Sequence, residues 1–98
     1  MIVSYRRIGG FAPVFQGCVL DSTGLPAADG EQLVGLVRAS GLEMLRDVRI
    51  AGADLQTIFI SVEEDGKTIS RKFDVAAVPE SVRALVGFLE ERAGDLLP

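Results

Sequence analysis

The sequence predicts an α+β fold, in which a single domain of ββαββα order builds a four-stranded, mostly antiparallel sheet with two helices packed on one face. Two observations predict it. Short β-rich runs occur at 1–8, at 14–21 and on both sides of an Asp-Gly pair within 55–74, and a helical pattern follows the second and the fourth run. We expect one domain over 1–98, with an ordered core over about 1–93 and a frayed tail at 94–98.

The first two strands are predicted at 1–8 and 14–21. In the first, Val3 and Tyr5 fall on one face and Ser4 and Arg6 on the other. The second contains Gly17, which indicates a bulge or a close backbone approach. The segment 9–15, which links the two strands and overlaps the first two residues of the second, reads GGFAPVF.

The first helix is predicted by residues of helical spacing that end at Gly41. Asp29, followed three residues later by Gln32, is typical of a capping box, so the helix is expected to begin there and to run for about eleven residues. Gly41 is predicted to end this helix at its C-terminus. Residues 42–54 have weak periodicity and are expected to form a helical turn followed by a loop.

The second half of the chain begins with a predicted β-hairpin. Asp65 and Gly66 supply the two positive φ angles that a type I′ turn requires, between the β-rich runs of 55–74. A second helix is expected to begin at Pro79 and to end at Gly94. Its apolar stripe consists of Val82, Leu85, Val86 and Leu89.

The two halves resemble each other in sequence. In both 21–37 and 74–89, an Asp ends a strand, a Pro follows five residues later, and Leu-Val-Gly lies inside the helix. A pseudo-symmetric domain is therefore our preferred interpretation. The mid-helix glycines Gly35 and Gly87 lower helix propensity, so we expect both helices to approach each other or the sheet closely there.

Composition excludes several classes of function. A net charge of −4 without long basic runs argues against nucleic-acid binding, and no apolar run is long enough for a membrane span. The N-terminal residues lack the pattern of a secretion signal, so a cytoplasmic location is expected. The chain has no histidine, which removes the usual general base and the commonest transition-metal ligand. The single cysteine, Cys18, is expected to be a small core residue.

The remaining polar clusters predict no catalytic residue, no metal site and no cofactor. Glu63, Glu64 and Asp65 lie at a hairpin turn that is too short to supply the ligands of calcium, so a solvated turn is expected. Asp21 and Asp74 both end strands and suit turn or cap roles better than acid-base chemistry. The Gly9-Gly10 pair lacks the lysine and the following helix of a phosphate loop.

The segment 9–15 is the candidate functional site, and two interpretations of its phenylalanines stay open. Phe11 and Phe15 could fold back and cap the core. Alternatively, the glycines let a tight loop project, Pro13 stiffens it, and an apolar side chain is offered to the pocket of a partner. The partner-binding residues would then be Gly9, Gly10, Phe11, Ala12, Pro13, Val14 and Phe15. Val14, Phe15 and Phe59 are also expected on the second, partly apolar face of the sheet.

Several segments together resemble the emfourin-like family. They are Arg7 followed by GGFA at 9–12, the strand ending in Asp21, Leu25-Pro26 before an acidic helix, VRASGL at 37–42, the hairpin at 60–66, and VPESVRALVGFL at 78–89. The resemblance covers roughly residues 2–92, and the ordered set is more specific than any one motif. The chain differs from the family's pattern at Pro13-Val14-Phe15 and in the loop over 43–54.

The resemblance implies a non-enzymatic protein that inhibits thermolysin-like zinc metallopeptidases such as protealysin. Only Gly9, Gly10, Phe11 and Ala12 match the family motif in the candidate loop. The sequence also allows a plain interaction module, including a homodimer that pairs through an exposed strand edge or the open sheet face.

Overall fold

The computed structural model describes residues 1–9, 16–47 and 56–95, and these residues form the predicted sequence of elements. They comprise β1 (Ile2–Ile8), β2 (Gln16–Asp21), α1 (Ala27–Ser40), a 3₁₀ turn (Leu42–Met44), β3 (Thr57–Glu64), β4 (Lys67–Asp74), a second 3₁₀ turn (Val75–Ala77), α2 (Glu80–Arg92) and the short β5 (Gly94–Asp95). The expected α+β class and the ββαββα order are confirmed.

The strands form one antiparallel sheet in the order β4-β3-β1-β2-β5. The central pair, β1 and β3, is antiparallel, and each of these strands is followed along the chain by the strand on its outer side. This arrangement places the two ββα halves symmetrically about the β1–β3 pair, as the internal repeat predicts. Asp21 and Asp74 lie at opposite ends of the sheet. Asp21 pairs with Ile2 at the start of β1, whereas Asp74 pairs with Thr57, which is the partner of Ile8 at the end of β1.

The core lies between the helices and one face of the sheet. Alternate residues of the strands are buried, as the period of two predicts, including Val3 and Tyr5 of β1. The predicted stripe of α2 is buried as well. The core cluster consists of Val3, Tyr5, Leu33, Leu42, Ile58, Ile60, Val62, Phe73, Val82, Leu85, Val86, Phe88 and Leu89. No helix in the described parts of the chain has the length and apolar content of a membrane span.

The β3–β4 hairpin has the predicted turn. Asp65 and Gly66 have φ angles of 53° and 77°, and Glu64 pairs with Lys67 across the two-residue loop. Positive φ at both central positions is the property of a type I′ turn, whose twist matches that of the flanking strands.

The prediction that α1 begins at Asp29 is wrong. The helix begins at Ala27, Pro26 occupies the N-cap position, and no side chain caps the helix. Pro26 lies directly before the first helical residue, and its ring restricts φ to a value, −51° here, that is compatible with entry into the helix. The C-terminal prediction is confirmed, because Gly41 has the left-handed conformation with a φ of 65°.

The predicted end of the second helix is also wrong. The helix ends at Arg92, and Ala93 continues in an extended conformation. Gly94 and Asp95 pair with Gly17 and Gln16 as β5, so these two residues do not belong to a frayed tail. Residues 96–98 lie outside the described part. Gly17 forms no bulge, since the register of β1 and β2 runs through it without interruption.

The glycines inside the helices do not mark close approaches. A Cβ atom added to Gly35 or Gly87 would meet nothing within 4 Å, so the expectation based on them is wrong. The close approach lies at Gly30, where an added Cβ would be 2.3 Å from the backbone oxygen of Ser22. The start of α1 therefore packs against the turn that follows β2.

Candidate functional site

The predicted loop lies largely outside the described residues, although Gly9 at its start and Gln16 just after its end are described. Gly9 has a φ of 115°, a backbone conformation that residues with a side chain rarely adopt. Residues 10–15, including Phe11 and Phe15, are not among the described residues, so neither interpretation of the phenylalanines is tested. The loop leaves the end of β1 and returns at Gln16, which pairs with Arg7.

A second segment from the sequence analysis reaches the same end of the sheet. Residues 48–55 also lie outside the described part, but Thr57, just after them, pairs with Ile8 of β1. The register thus places the two segments side by side where they join the sheet. The earlier part of the 43–54 loop is described and lies elsewhere, along β4.

A polar cluster joins the ends of both segments to helix α2. The Arg7 guanidinium donates through Nε to Gln56 Oε1, and its Nη1 lies 3.0 Å from Glu90 Oε1. The Tyr5 hydroxyl donates to the same Glu90 oxygen at 2.9 Å. Burial, followed by the hydrogen bond to Glu90, raises the pKa of Tyr5 well above its usual range, so the phenol stays protonated as a donor.

The sequence analysis did not single out this cluster, although a signal was present. Arg7 alternates with Val3 and Tyr5 along β1 and therefore lies on the helix-covered side of the strand. A charged arginine in this partly buried position needs a hydrogen-bonding or ionic partner. That partner is Glu90, which lies more than eighty positions later in the chain. No local sequence pattern could have identified it.

The opposite face of the sheet carries Phe59 between two cations. The guanidinium of Arg6 lies 5.2 Å from the centre of the Phe59 ring, and the ammonium of Lys72 lies 5.9 Å from it. Both are neighbours of Phe59 across the strands, within the range of cation–π attraction. A trough of about 600 Å³ runs across this face, with Ser4, Val19, Ser61 and Ser70 among its lining residues. Phe59 lies on this face, as predicted.

The outer edge of β4 is closed by the segment after α1. The backbone N–H of Lys72 donates to Asp47 Oδ1 at 2.9 Å, and the Arg71 guanidinium donates to the backbone oxygen of Ser70 at 2.8 Å. Arg71 also donates to the carbonyl oxygens of Leu42 and Leu45, which holds the segment in place. These bonds occupy edge groups with which another strand would have to pair.

The residues with reactive side chains do not assemble into a catalytic site in the described parts of the chain. Cys18 is half-buried, its Sγ lies 3.6 Å from the carbonyl oxygen of Leu89, and burial raises the pKa of the thiol. No group of three or more metal-ligating side chains occurs in 1–9, 16–47 or 56–95.

A comparison with protein-family models finds a match to the family described as Emfourin, over residues 5–90. The chain belongs to the emfourin family. The family match runs from the middle of β1 through most of α2, and it confirms the resemblance seen in the sequence. No curated protein and no solved structure matches the chain. Emfourin is an inhibitor family, so membership supports a role as a metallopeptidase inhibitor in general and implies that the chain is not an enzyme.

Proposed function

We propose that this emfourin-family protein inhibits thermolysin-like zinc metallopeptidases by placing residues 9–15 in their active-site cleft. The family match carries the proposal. The structure supports this location in two ways: Gly9 has a left-handed backbone conformation at the start of the loop, and the loop joins the sheet beside a cluster that ties β1 to α2.

In the proposed mechanism an apolar side chain anchors the loop in a pocket of the enzyme. Thermolysin-like enzymes resemble one another in having an apolar pocket just beyond the scissile bond, and Phe11 or Phe15 would occupy it. Pro13 reduces the number of conformations of the free loop, so less conformational entropy is lost on binding. The mechanism needs no zinc ligand from the inhibitor, which suits a chain without histidine.

Titration of the purified protein into an assay of thermolysin tests the proposal. We expect inhibition that competes with substrate and leaves the zinc in the enzyme. Burying a phenylalanine contributes about 1.5 to 3 kcal/mol, so Phe11→Ala or Phe15→Ala should raise the inhibition constant by roughly 10- to 150-fold. Met44→Ala is the matched control, because Met44 is 88% exposed and lies near the hairpin turn, at the other end of the sheet.

The outcomes separate the function from the residues assigned to it. If the unaltered protein fails to inhibit thermolysin and other members of its class, the proposed function is wrong. If it inhibits, but both phenylalanine variants inhibit equally well, the function stands and the loop is not the contact. A correctly folded variant is recognised by an unchanged thermal unfolding midpoint.

A further inference from the structure

The open face of the sheet carries two rows of opposite charge. Arg6 and Lys72 flank Phe59 in one row of directly paired residues, which we term the cationic row. Asp21 and Glu63 flank Ile2 in another, the acidic row. The rows are four residues apart along the strands, which corresponds to about 13 Å at the rise of a β-strand.

The charges of both rows are available to a partner. Arg6, Lys72 and Glu63 are exposed and form no ion pair with other residues in the described parts of the chain. The Asp21 carboxylate is exposed and accepts hydrogen bonds from Thr23 alone in that part.

Apolar side chains are exposed on the same face. Val19 is 70% exposed and lies between the two rows, and Ile2 is 37% exposed within the acidic row. These are two of the three large hydrophobic side chains that are exposed in the described residues, the third being Met44. The two side chains add apolar area to a face that is otherwise polar and charged.

The charge pattern fits a second copy of the same face. We propose that two copies of this protein associate face to face, about a two-fold axis that lies parallel to the sheet and perpendicular to its strands. This rotation reverses the strand direction, so the cationic row of each copy lies over the acidic row of the other. Arg6 then lies between Asp21 and Glu63 of the second copy. A two-fold axis along the strands would instead place like charges together, which is unfavourable.

Association through the face is favoured over association through the strand edges. Asp47 and Arg71 occupy backbone groups on the β4 edge. At the other edge β5 covers Gln16 and Gly17, which leaves only the last four residues of β2. Short and blocked edges do not support extended pairing between copies.

The size of the face predicts a weak dimer. Four strands of six to eight residues present a face of about 500 Å², which is smaller than the roughly 800 Å² that each partner buries in a standard interface. The trough between the rows leaves room for ordered water, which is common in interfaces of this kind. Dimerisation is therefore expected at high protein concentration and low salt.

Sedimentation velocity over a dilution series, from micromolar to millimolar protein, tests the proposal. We expect a concentration-dependent shift toward twice the chain mass, which weakens as ionic strength rises from about 0.01 to about 1 M because the Debye length falls from about 30 to about 3 Å. Arg6→Glu and Glu63→Lys should each weaken the dimer by about tenfold, since each change introduces repulsion at two symmetry-related places. Lys67→Glu makes the same charge change as Arg6→Glu on the other face of the sheet and should leave the dimer intact.

A mixture of the two weakened variants gives the decisive result. Each variant repels itself, whereas Arg6→Glu and Glu63→Lys complement each other in a mixed dimer. An increase in dimer on mixing, relative to either variant alone, is the result expected. A protein that stays monomeric at millimolar concentration and low salt overturns the proposal. So does a dimer that Arg6→Glu leaves unchanged, or a mixture that fails to associate. Thermal unfolding of each variant confirms that it is folded.

Discussion

Arg7 and Glu90 form an ion pair with a distance of 3.0 Å between Nη1 and Oε1, and this pair joins the end of β1 to the last turns of α2. The same carboxylate oxygen accepts a hydrogen bond from the hydroxyl of Tyr5, and the same guanidinium donates to Gln56, which directly precedes β3. One cluster therefore couples the two central strands to the helix, next to the points where 10–15 and 48–55 join the sheet.

Tyr5→Phe should lower the free energy of unfolding by about 1 kcal/mol, because the variant loses a hydrogen bond to a charged acceptor, Glu90, whose side chain is 41% exposed. Denaturant unfolding of Tyr5→Phe, Glu90→Gln and the double variant measures the coupling. We expect an interaction energy of at least about 0.5 kcal/mol, as is usual for residues in one network. Tyr5→Phe combined with Glu64→Gln should be additive, since those side chains do not touch. Additivity in both pairs would contradict the cluster.

Glycine-to-alanine substitutions in α1 and α2 should raise or lower the free energy of unfolding according to the space around each glycine. Gly35→Ala and Gly87→Ala should each raise the free energy of unfolding by roughly 0.5 to 1 kcal/mol, because the helix gains propensity and the new methyl group meets nothing. Gly30→Ala should lower it by about 1 to 3 kcal/mol, because the new Cβ would lie 2.3 Å from the Ser22 oxygen. Thermal unfolding measures all three, and a Gly30→Ala variant as stable as the unaltered protein would exclude this close packing.

The turn after β2 should weaken in acid through Asp21. The hydroxyl of Thr23 at 2.7 Å and its backbone N–H at 2.9 Å donate to Asp21 Oδ1, and these bonds hold the pKa of Asp21 below its usual value. A lowered pKa means that the stabilisation is fully present above the unfolded pKa of about 3.9 and is lost as pH falls through the folded value. An NMR titration measures the pKa. Thr23→Val should move it upward, and an unchanged titration would show that the hydroxyl has no influence.

Cys18 should react slowly with thiol reagents in the folded protein. The side chain is half-buried, and burial raises the thiol pKa above its usual value, although the charge of Arg92 opposes the shift. Because the thiolate is the reactive form, labelling near pH 8 should be slower than in protein unfolded by concentrated urea. The stability contributed by the neutral thiol is present below the unfolded pKa and is lost as pH rises through the higher folded value. Equal labelling rates in the two states would contradict the burial of the thiol.

The loop at 9–15 illustrates the limit of sequence reasoning about the site. GGFA and the ordered family pattern indicated the family, which the match over residues 5–90 confirms. The conformation of Gly9 is accessible to glycine, so the sequence signal at that position agrees with the structure. The position of the loop relative to Gln56 and Glu90 could not be predicted, because it depends on strand order and helix packing rather than on neighbouring residues.

By itself the sequence determined what short-range physics controls: the alternation that buries Val3 and Tyr5, the positive-φ turn at Asp65-Gly66, and the helix end at Gly41. Only the tertiary structure decided which distant groups meet, including Glu90 with Arg7, Asp47 with the edge of β4, and Gly94 with Gly17. The physical reason is that periodicity and turn chemistry act over a few residues. Strand order and the partners of buried polar groups depend on how the whole chain buries its apolar surface at once.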